Sequence, residues 1–253
     1  MTRSAPLFLV LSCFVLSCFV TACGGDDDGP PDVPSDGGRP DVPSDGGPPG
    51  ECVAFEEQSG EGTYYDATGA GACSFDAQPG GELLVAAMNA PQFAGSGVCG
   101  MCARVVGPAG EVTVRIVDLC PECASGDLDL SPDAFARIAE LERGRVPITW
   151  REVPCAVSGP IGYHFQDGAN AFYTAIQVRN HRYPIAKLEA EVDGAYVEIE
   201  RLEYNYFVEA DGLGDGPYAL RVTDTRGHVV EDLGVELGDD VTRVGTAQFP
   251  LCP

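Results

Sequence analysis

The chain has 253 residues and a formal net charge of −24 at pH 7. That balance excludes a positively charged surface for nucleic acid, anionic walls or anionic lipid headgroups, and it suits an uncharged partner such as a neutral polysaccharide. The length allows one large or two small domains behind an N-terminal targeting segment.

The N-terminus carries Arg3 and an apolar run from Pro6 to Val20 in which LSCFV is written twice. The run is too short for a membrane span and ends in small residues, as a secretory signal does. Val20-Thr21-Ala22-Cys23-Gly24 resembles a bacterial lipoprotein cleavage box, which would make Cys23 the lipidated first residue of the mature chain. Ordinary signal cleavage is the alternative; the polar linker directly after Cys23 favours lipidation. Several acyl chains anchor a protein stably where one does not. Residues 24–51 are mostly Gly, Asp and Pro, with PDVPSDGG at 31–38 and again at 40–47. Such a segment has nothing to bury and is expected to be disordered. At ~3.1 Å per residue it would reach at most roughly 85 Å, and as a flexible coil about 30 Å, enough to hold a folded unit away from a membrane.

Eight cysteines follow the linker: Cys52, Cys73, Cys99, Cys102, Cys120, Cys123, Cys155 and Cys252. An even number in an exported chain points to disulfides. The spacing of Cys99, Cys102, Cys120 and Cys123 also fits a four-thiolate zinc site. Export and the four other cysteines favour disulfides. His164, His181 and His228 are scattered, so no other metal site and no cofactor is expected.

Between residues 52 and 155, strand-like runs appear at Glu82–Met88, Cys102–Val106, Val112–Leu119 and Val146–Val153, separated by Gly and Pro turns. A single helix is expected near Ser131–Glu142. Ser131 is a good N-cap, Pro132 fits the first helical position and Asp133 the first turn. This pattern predicts a small mixed barrel with little helix. Asp118, Glu122 and Asp129 fall near strand and helix ends, where a scaffold holds side chains rigidly. Asp129 would also serve merely to complement the helix dipole, and Asp118 and Glu122 merely as solvated turn residues.

From 156 to 253 the pattern is all strand: Ala171–Arg179, Leu188–Val192, Tyr196–Ile199, Tyr206–Val208, Tyr218–Thr223, Val229–Asp232 and Ala247–Phe249. Asp193-Gly194 is a hairpin signal, and Arg226-Gly227 a second turn. Short antiparallel strands at this spacing predict a β-sandwich, joined to the barrel with almost no linker. The domain order is thus a signal at 1–22, a linker at 23–51, a barrel at 52–155 and a sandwich at 156–253.

Several motifs together resemble the expansin family, in particular its two-domain microbial members. They are Gly62-Thr63-Tyr64, VRIVDLCPEC, LDLSPDAF and VPITWREVPC in the first domain, and AIQVRNHRYPIAKLE, EYNYF and RVTDTRGHVV in the second. The resemblance covers about residues 60–250. It implies a mainly β protein, a six-stranded double-psi β-barrel followed by an immunoglobulin-like carbohydrate-binding sandwich. It also implies loosening of cellulose-containing walls without hydrolysis. By the same resemblance Thr63, Tyr64, Asp118 and Asp129 fall on a polysaccharide-binding groove, with Asp129 as the essential carboxyl group. Position 120 is Cys, as in plant members, where bacterial members often have Tyr. Phe172, Tyr173 and Tyr204 match a row of exposed aromatics, the first two replacing the Trp pair common in bacterial members. Smaller rings imply weaker cellulose binding. Adjacent residues on a strand face opposite sides, so Phe172 and Tyr173 are both exposed only at a bulge or strand end. Gln166 stands where some relatives have a basic residue. Cys73–Cys99 and Cys102–Cys155 match pairs of plant expansins, which leaves Cys120–Cys123 and Cys52–Cys252. The expected partners are cellulose and related glucans, with no nucleic acid, for a monomer held at the bacterial envelope or surface by a lipid anchor, with secretion as the alternative.

Two other functions use the same features. The barrel also occurs in endoglucanases and lytic transglycosylases. Inverting hydrolysis needs two carboxyl groups ≈ 6.5–9.5 Å apart with room for water. Asp129 fits the acid, but only Asp66 offers itself as a base, so no hydrolysis is expected. The other function is cellulose adhesion without loosening.

Overall fold

The computed structural model describes residues 55–252. The signal segment, Cys23, the linker and Cys52 lie outside the described residues. Six strands close into a barrel: β1 (Gln58–Tyr64), β2 (Val85–Asn89), β3 (Cys102–Gly107), β4 (Gly110–Cys120), β5 (Leu128–Leu130) and β6 (Val146–Val153). Their order around it is β1-β5-β2-β4-β3-β6. The β1–β5 and β2–β4 pairs are parallel and the rest antiparallel, the pattern of a double-psi barrel. Val112, Val114, Ile116, Leu128, Leu130, Val146, Ile148 and Trp150 fill its core.

The expected helix forms as α2 (Pro132–Ile138), capped by Ser131 Oγ accepting from Ala134 N, with Pro132 and Asp133 in its first turn. It ends earlier than expected, because Ala139 is extended and only a single 3₁₀ turn follows at Leu141–Arg143. One further helical turn, α1 (Ala90–Phe93), starts at Asn89, whose side chain accepts from Gln92 N. Strands β1 and β5 were not expected. Strand β1 reads QSGEGTY, with no apolar alternation. Its Gly60 is needed because a Cβ there would overlap the backbone of Gly126.

The second domain has β7 (Gly162–Phe165), β8 (Thr174–Arg179), β9 (Ile185–Val192), β10 (Ala195–Arg201), β11 (Phe207–Glu209), β12 (Tyr218–Asp224), β13 (Val229–Val235) and β14 (Val241–Val244). One half runs β13-β12-β9-β10 and the other β11-β8-β7-β14, joined where the end of β10 pairs with β11. The halves share one apolar core containing Tyr163, Phe165, Ile176, Leu188, Phe207 and Leu220, which makes a sandwich. Asp193 and Gly194 both take positive φ in the β9–β10 hairpin, as a two-residue turn of this kind requires. Strands β7 and β14 were not expected, and two expectations fail. Ala247–Phe249 is not a strand: the last strand is β14, and Phe249 is instead a buried plug in the core. The strand expected from Ala171 begins only at Thr174.

Disulfides join Cys73 to Cys99, Cys102 to Cys155 and Cys120 to Cys123. The four thiols spaced like a zinc site are therefore consumed in three different bridges. Cys252 is disulfide-bonded as well.

The outer face of β8 docks on the barrel. Gln177 Nε2 donates to the carbonyls of Cys73 (2.9 Å) and Ser74 (3.3 Å), and Arg179 pairs with Asp76 at 2.6 Å. The turn before β11 is tied down too: Asn205 Nδ2 donates to Cys73 O, and Ser96 Oγ donates to Leu202 O. His181 is buried in this joint. Its Nδ1 donates to Tyr183 O at 2.7 Å, and burial, then Arg115, lowers its pKa to about 3.

Candidate functional site

Strand register brings the barrel residues together. Thr63 on β1 pairs with Asp129 on β5, Asp129 with Ala87 on β2, and Ala87 with Asp118 on β4. A transverse row Thr63–Asp129–Ala87–Asp118 therefore crosses four neighbouring strands. The β2–β4 register slips at this point, leaving Val117 as an extra residue of β4; such a bulge re-aims the side chains that follow it. Asp118 and Asp129 lie two strands apart, about 10 Å between backbones at the usual strand spacing.

Asp129 is half-buried. Thr63 Oγ1 donates to its Oδ1 at 2.5 Å. Burial raises its pKa, Thr63 and the charge of Arg145 act against that, and Asp118 adds to it. Asp118 is anchored differently: its Oδ1 accepts from Ala72 N (2.7 Å) and Leu119 N (2.8 Å). A Cβ on Gly71 would overlap this carboxylate, so only glycine lets the 71–72 loop close over it. Tyr64 leans on Phe135 of α2, with ring centroids 5.0 Å apart, and keeps one face to solvent. Tyr65 was not anticipated. Its hydroxyl is buried near Asp118 with no partner of good hydrogen-bonding geometry among the described residues, and burial, then Asp118, pushes its pKa up. The Cys120–Cys123 bridge staples the turn at the end of β4, so Glu122 is an exposed turn residue. Asp66 is exposed as well.

The candidate aromatic residues of the sandwich, Phe172, Tyr173 and Tyr204, stand on turns. Asn170 and Tyr173 pair across a two-residue reversal, and Asn170 Oδ1 accepts from Phe172 N at 2.9 Å. This is an Asx turn, so neither ring stands inside a strand. Phe172 is 81% exposed. Gly212, at φ +75°, packs on the far side of the turn, where a Cβ would overlap Ala171 O and the Phe172 backbone. Gly214 N donates to Ala171 O at 3.0 Å. Tyr173 is half-buried, with its hydroxyl 3.4 Å from Gln166 Oε1. Tyr204 stands on the turn between β10 and β11; burial, then the neighbouring Tyr173, raises its pKa.

Tyr206 continues the row inward, 5.8 Å from Tyr204 between centroids, and reaches Arg179. Neither Tyr206 nor the Arg179–Asp76 pair was anticipated; the available signal was the polar alternation of Gln177 and Arg179 in an otherwise apolar strand.

Residues 57–150 match a family model described as lytic transglycolase. The chain is similar to Expansin-YoaJ of Bacillus subtilis, at 39% identity over 178 residues, covering 67% of this chain and 76% of that protein. It is 32% identical over 184 residues to Expansin-like protein 2 of Dictyostelium discoideum, covering 68% of this chain and 45% of that one. Its structure resembles the crystal structure of an expansin from Clavibacter michiganensis. The TM-score is 0.72 at 27% identity, covering 78% of this chain and all of that one. A mutant of that expansin, crystallised in complex with cellohexaose, matches at the same TM-score and coverage and 26% identity.

Proposed function

The chain belongs to the expansin family, and we propose that it is an exported wall-loosening protein that binds cellulose and related glucans and disrupts their non-covalent contacts without hydrolysis. The observation that carries this reading is the aromatic turn: an 81%-exposed Phe172 beside Tyr173 and Tyr204, on a domain fixed to the barrel. Exposed aromatic surface of this kind marks an interaction site, and flat rings lie well against sugar rings. The relative crystallised with cellohexaose is consistent with it. At about 1 kcal/mol per ring, three rings give about 3 kcal/mol, less than a millimolar affinity. Retention therefore needs repeated sugar sites and both domains engaged at once.

In this reading Thr63, Tyr64 and Asp118 hold the glucan on the barrel, and Asp129 supplies the essential carboxyl group. Its raised pKa makes it a ready donor or acceptor towards a sugar hydroxyl. Asp118, committed to two backbone N–H groups, suits a positioning role better than activation of a water. Lipidation at Cys23 would hold the protein, as a monomer, at the envelope or cell surface.

The match to the lytic transglycolase model favours glycan cleavage as a second reading. Pull-down on crystalline cellulose and on peptidoglycan, together with creep of stretched cellulosic material, separates the two. Cellulose binding should be lost in the Phe172→Ala/Tyr173→Ala/Tyr204→Ala variant. Creep should rise with wild-type protein and vanish with Asp129→Ala while binding persists. Binding to peptidoglycan alone, or release of reducing sugar that is lost on Asp129→Asn, would overturn the proposal.

A further inference from the structure

Arg115 has neither a hydrogen bond nor an ion pair through its side chain among the described residues. It lies on β4 between Val114 and Ile116, which point into the barrel core, so its own side chain points outward into the joint with the sandwich. Its guanidinium lies 4.4 Å from the centroid of Phe75, and its Nε is buried without a partner. The charged groups around it offer no compensation. Arg179 is a second cation, and His181 is neutral. Asp76 is already paired with Arg179 at 2.6 Å. Arg115 is half-buried, and a desolvated cation without a counter-ion is disfavoured. In a chain with 39 carboxylates, the lack of one paired with Arg115 among the described residues is a feature to explain.

Arg115 and Arg179 line a cavity of about 200 Å³ together with Phe75, Asp76, Ala77 and Gln78. That is below the ~300–1,000 Å³ of sites that enclose a whole small molecule, so it suits one charged group rather than a chain. Two guanidinium groups and one carboxylate leave one positive charge, which matches a monoanion. A planar fork of N–H donors matches carboxylate or phosphate oxygens, and a single carboxylate fits the one net charge.

The surroundings identify the carrier. The 71–78 segment that forms one wall is also held to Asp118 through Ala72 N. On the other wall, Arg179 reaches Tyr206, which neighbours Tyr204. The walls of the cavity are therefore connected to both the carboxylate row and the aromatic turn. We propose that Arg115 and Arg179 form a subsite for the carboxylate of a uronic-acid side group on an otherwise neutral polysaccharide chain. The path of that chain rests on the proposed function. A polyuronate is disfavoured by the net charge of −24, whereas an isolated acid on a neutral chain meets only the local cations.

The test is affinity electrophoresis of the full protein in gels holding a glucuronic-acid-substituted xylan, or the same polymer after reduction of its carboxyl groups. The acid polymer should bind roughly tenfold more tightly, as expected for hydrogen bonds to a charged group. The preference should shrink with added salt. It should disappear in Arg115→Met, which keeps an apolar contact with Phe75, while retention on cellulose stays at the wild-type level. Equal binding of the two polymers by wild-type protein, or a preference untouched by Arg115→Met, overturns the proposal. The ligand-side change needs no variant to fold. Failure of cellulose binding would overturn the proposed function without altering what the polymer comparison says about the subsite.

Discussion

The carboxylate row of the barrel and the aromatic turn of the sandwich are built by opposite means. The row is set by strand register: Thr63, Asp129 and Asp118 are fixed because β1, β5, β2 and β4 pair as they do. None of these backbone positions shifts without disturbing a closed sheet. The turn is set by a few local bonds, from Asn170 Oδ1 to Phe172 N and from Gly214 N to Ala171 O, and its outermost ring supports nothing beneath it. In the proposed function, chemistry that demands a fixed geometry is thus placed where the backbone is over-determined. In the same proposal, binding that tolerates substitution is placed where the fold does not depend on the side chain.

The largest test of that contrast uses two glycines. Gly71→Ala would force a methyl group into the Asp118 carboxylate, and Gly212→Ala would force one into the backbone of the aromatic turn at a positive φ. Each should cost at least about 2 kcal/mol of stability. Their functional effects should separate. Gly71→Ala should remove creep activity with cellulose retention largely kept, and Gly212→Ala should lower retention first. Denaturant unfolding alongside pull-down and creep assays checks both, and identical functional profiles would dissolve the distinction.

A smaller effect probes the joint between the two regions. His181 is held neutral in the fold, with its pKa lowered to about 3, while an unfolded histidine titrates near ~6.5. Between these values the unfolded chain binds more protons, so stability rises with pH. The contribution is complete above about pH 6.5 and is lost as pH falls towards 3. From pH 7 to pH 5 the loss should be about 2 kcal/mol. His181→Asn keeps a donor for the Tyr183 carbonyl and should flatten this dependence, as the difference between the two stability–pH curves will show.

Much of the framework was legible because local signals agreed with the tertiary outcome. Strand β6 alternates cleanly, Ser131-Pro132-Asp133 begins a helix, and Asp193-Gly194 turns a hairpin. Strands β1 and β5 were hidden: one is glycine-rich to permit close backbone approach at Gly126, and the other is only three residues long. The carboxylates at 118 and 129 were visible as residues, but their alignment depends on a one-residue slip at Val117 that no local pattern encodes. The aromatic pair was placed on a strand because Ala171–Arg179 is continuously apolar enough to be one. The side chain of Asn170 overrides that tendency by bonding the backbone two residues on. Arg115 reads in sequence as an ordinary outward residue of an alternating strand, and its isolation appears only when the second domain covers it.

The smallest expected effect is the most direct measure of how separable the turn is. Phe172 is 81% exposed, so Phe172→Ala should change stability by no more than about 0.5 kcal/mol, the range for surface sites. Retention on cellulose should weaken by about 1 kcal/mol, or roughly fivefold, if the ring stacks on a sugar. Phe172→Trp enlarges the flat face at the same position without touching the backbone that carries it. It should strengthen retention by a similar or smaller amount with the same melting temperature. Binding isotherms on crystalline cellulose, with thermal unfolding of each variant, give both quantities. A loss of stability that tracks the loss of binding would mean that the ring braces the turn after all. Unchanged binding in both variants would assign retention to Tyr173, Tyr204 and the barrel row instead.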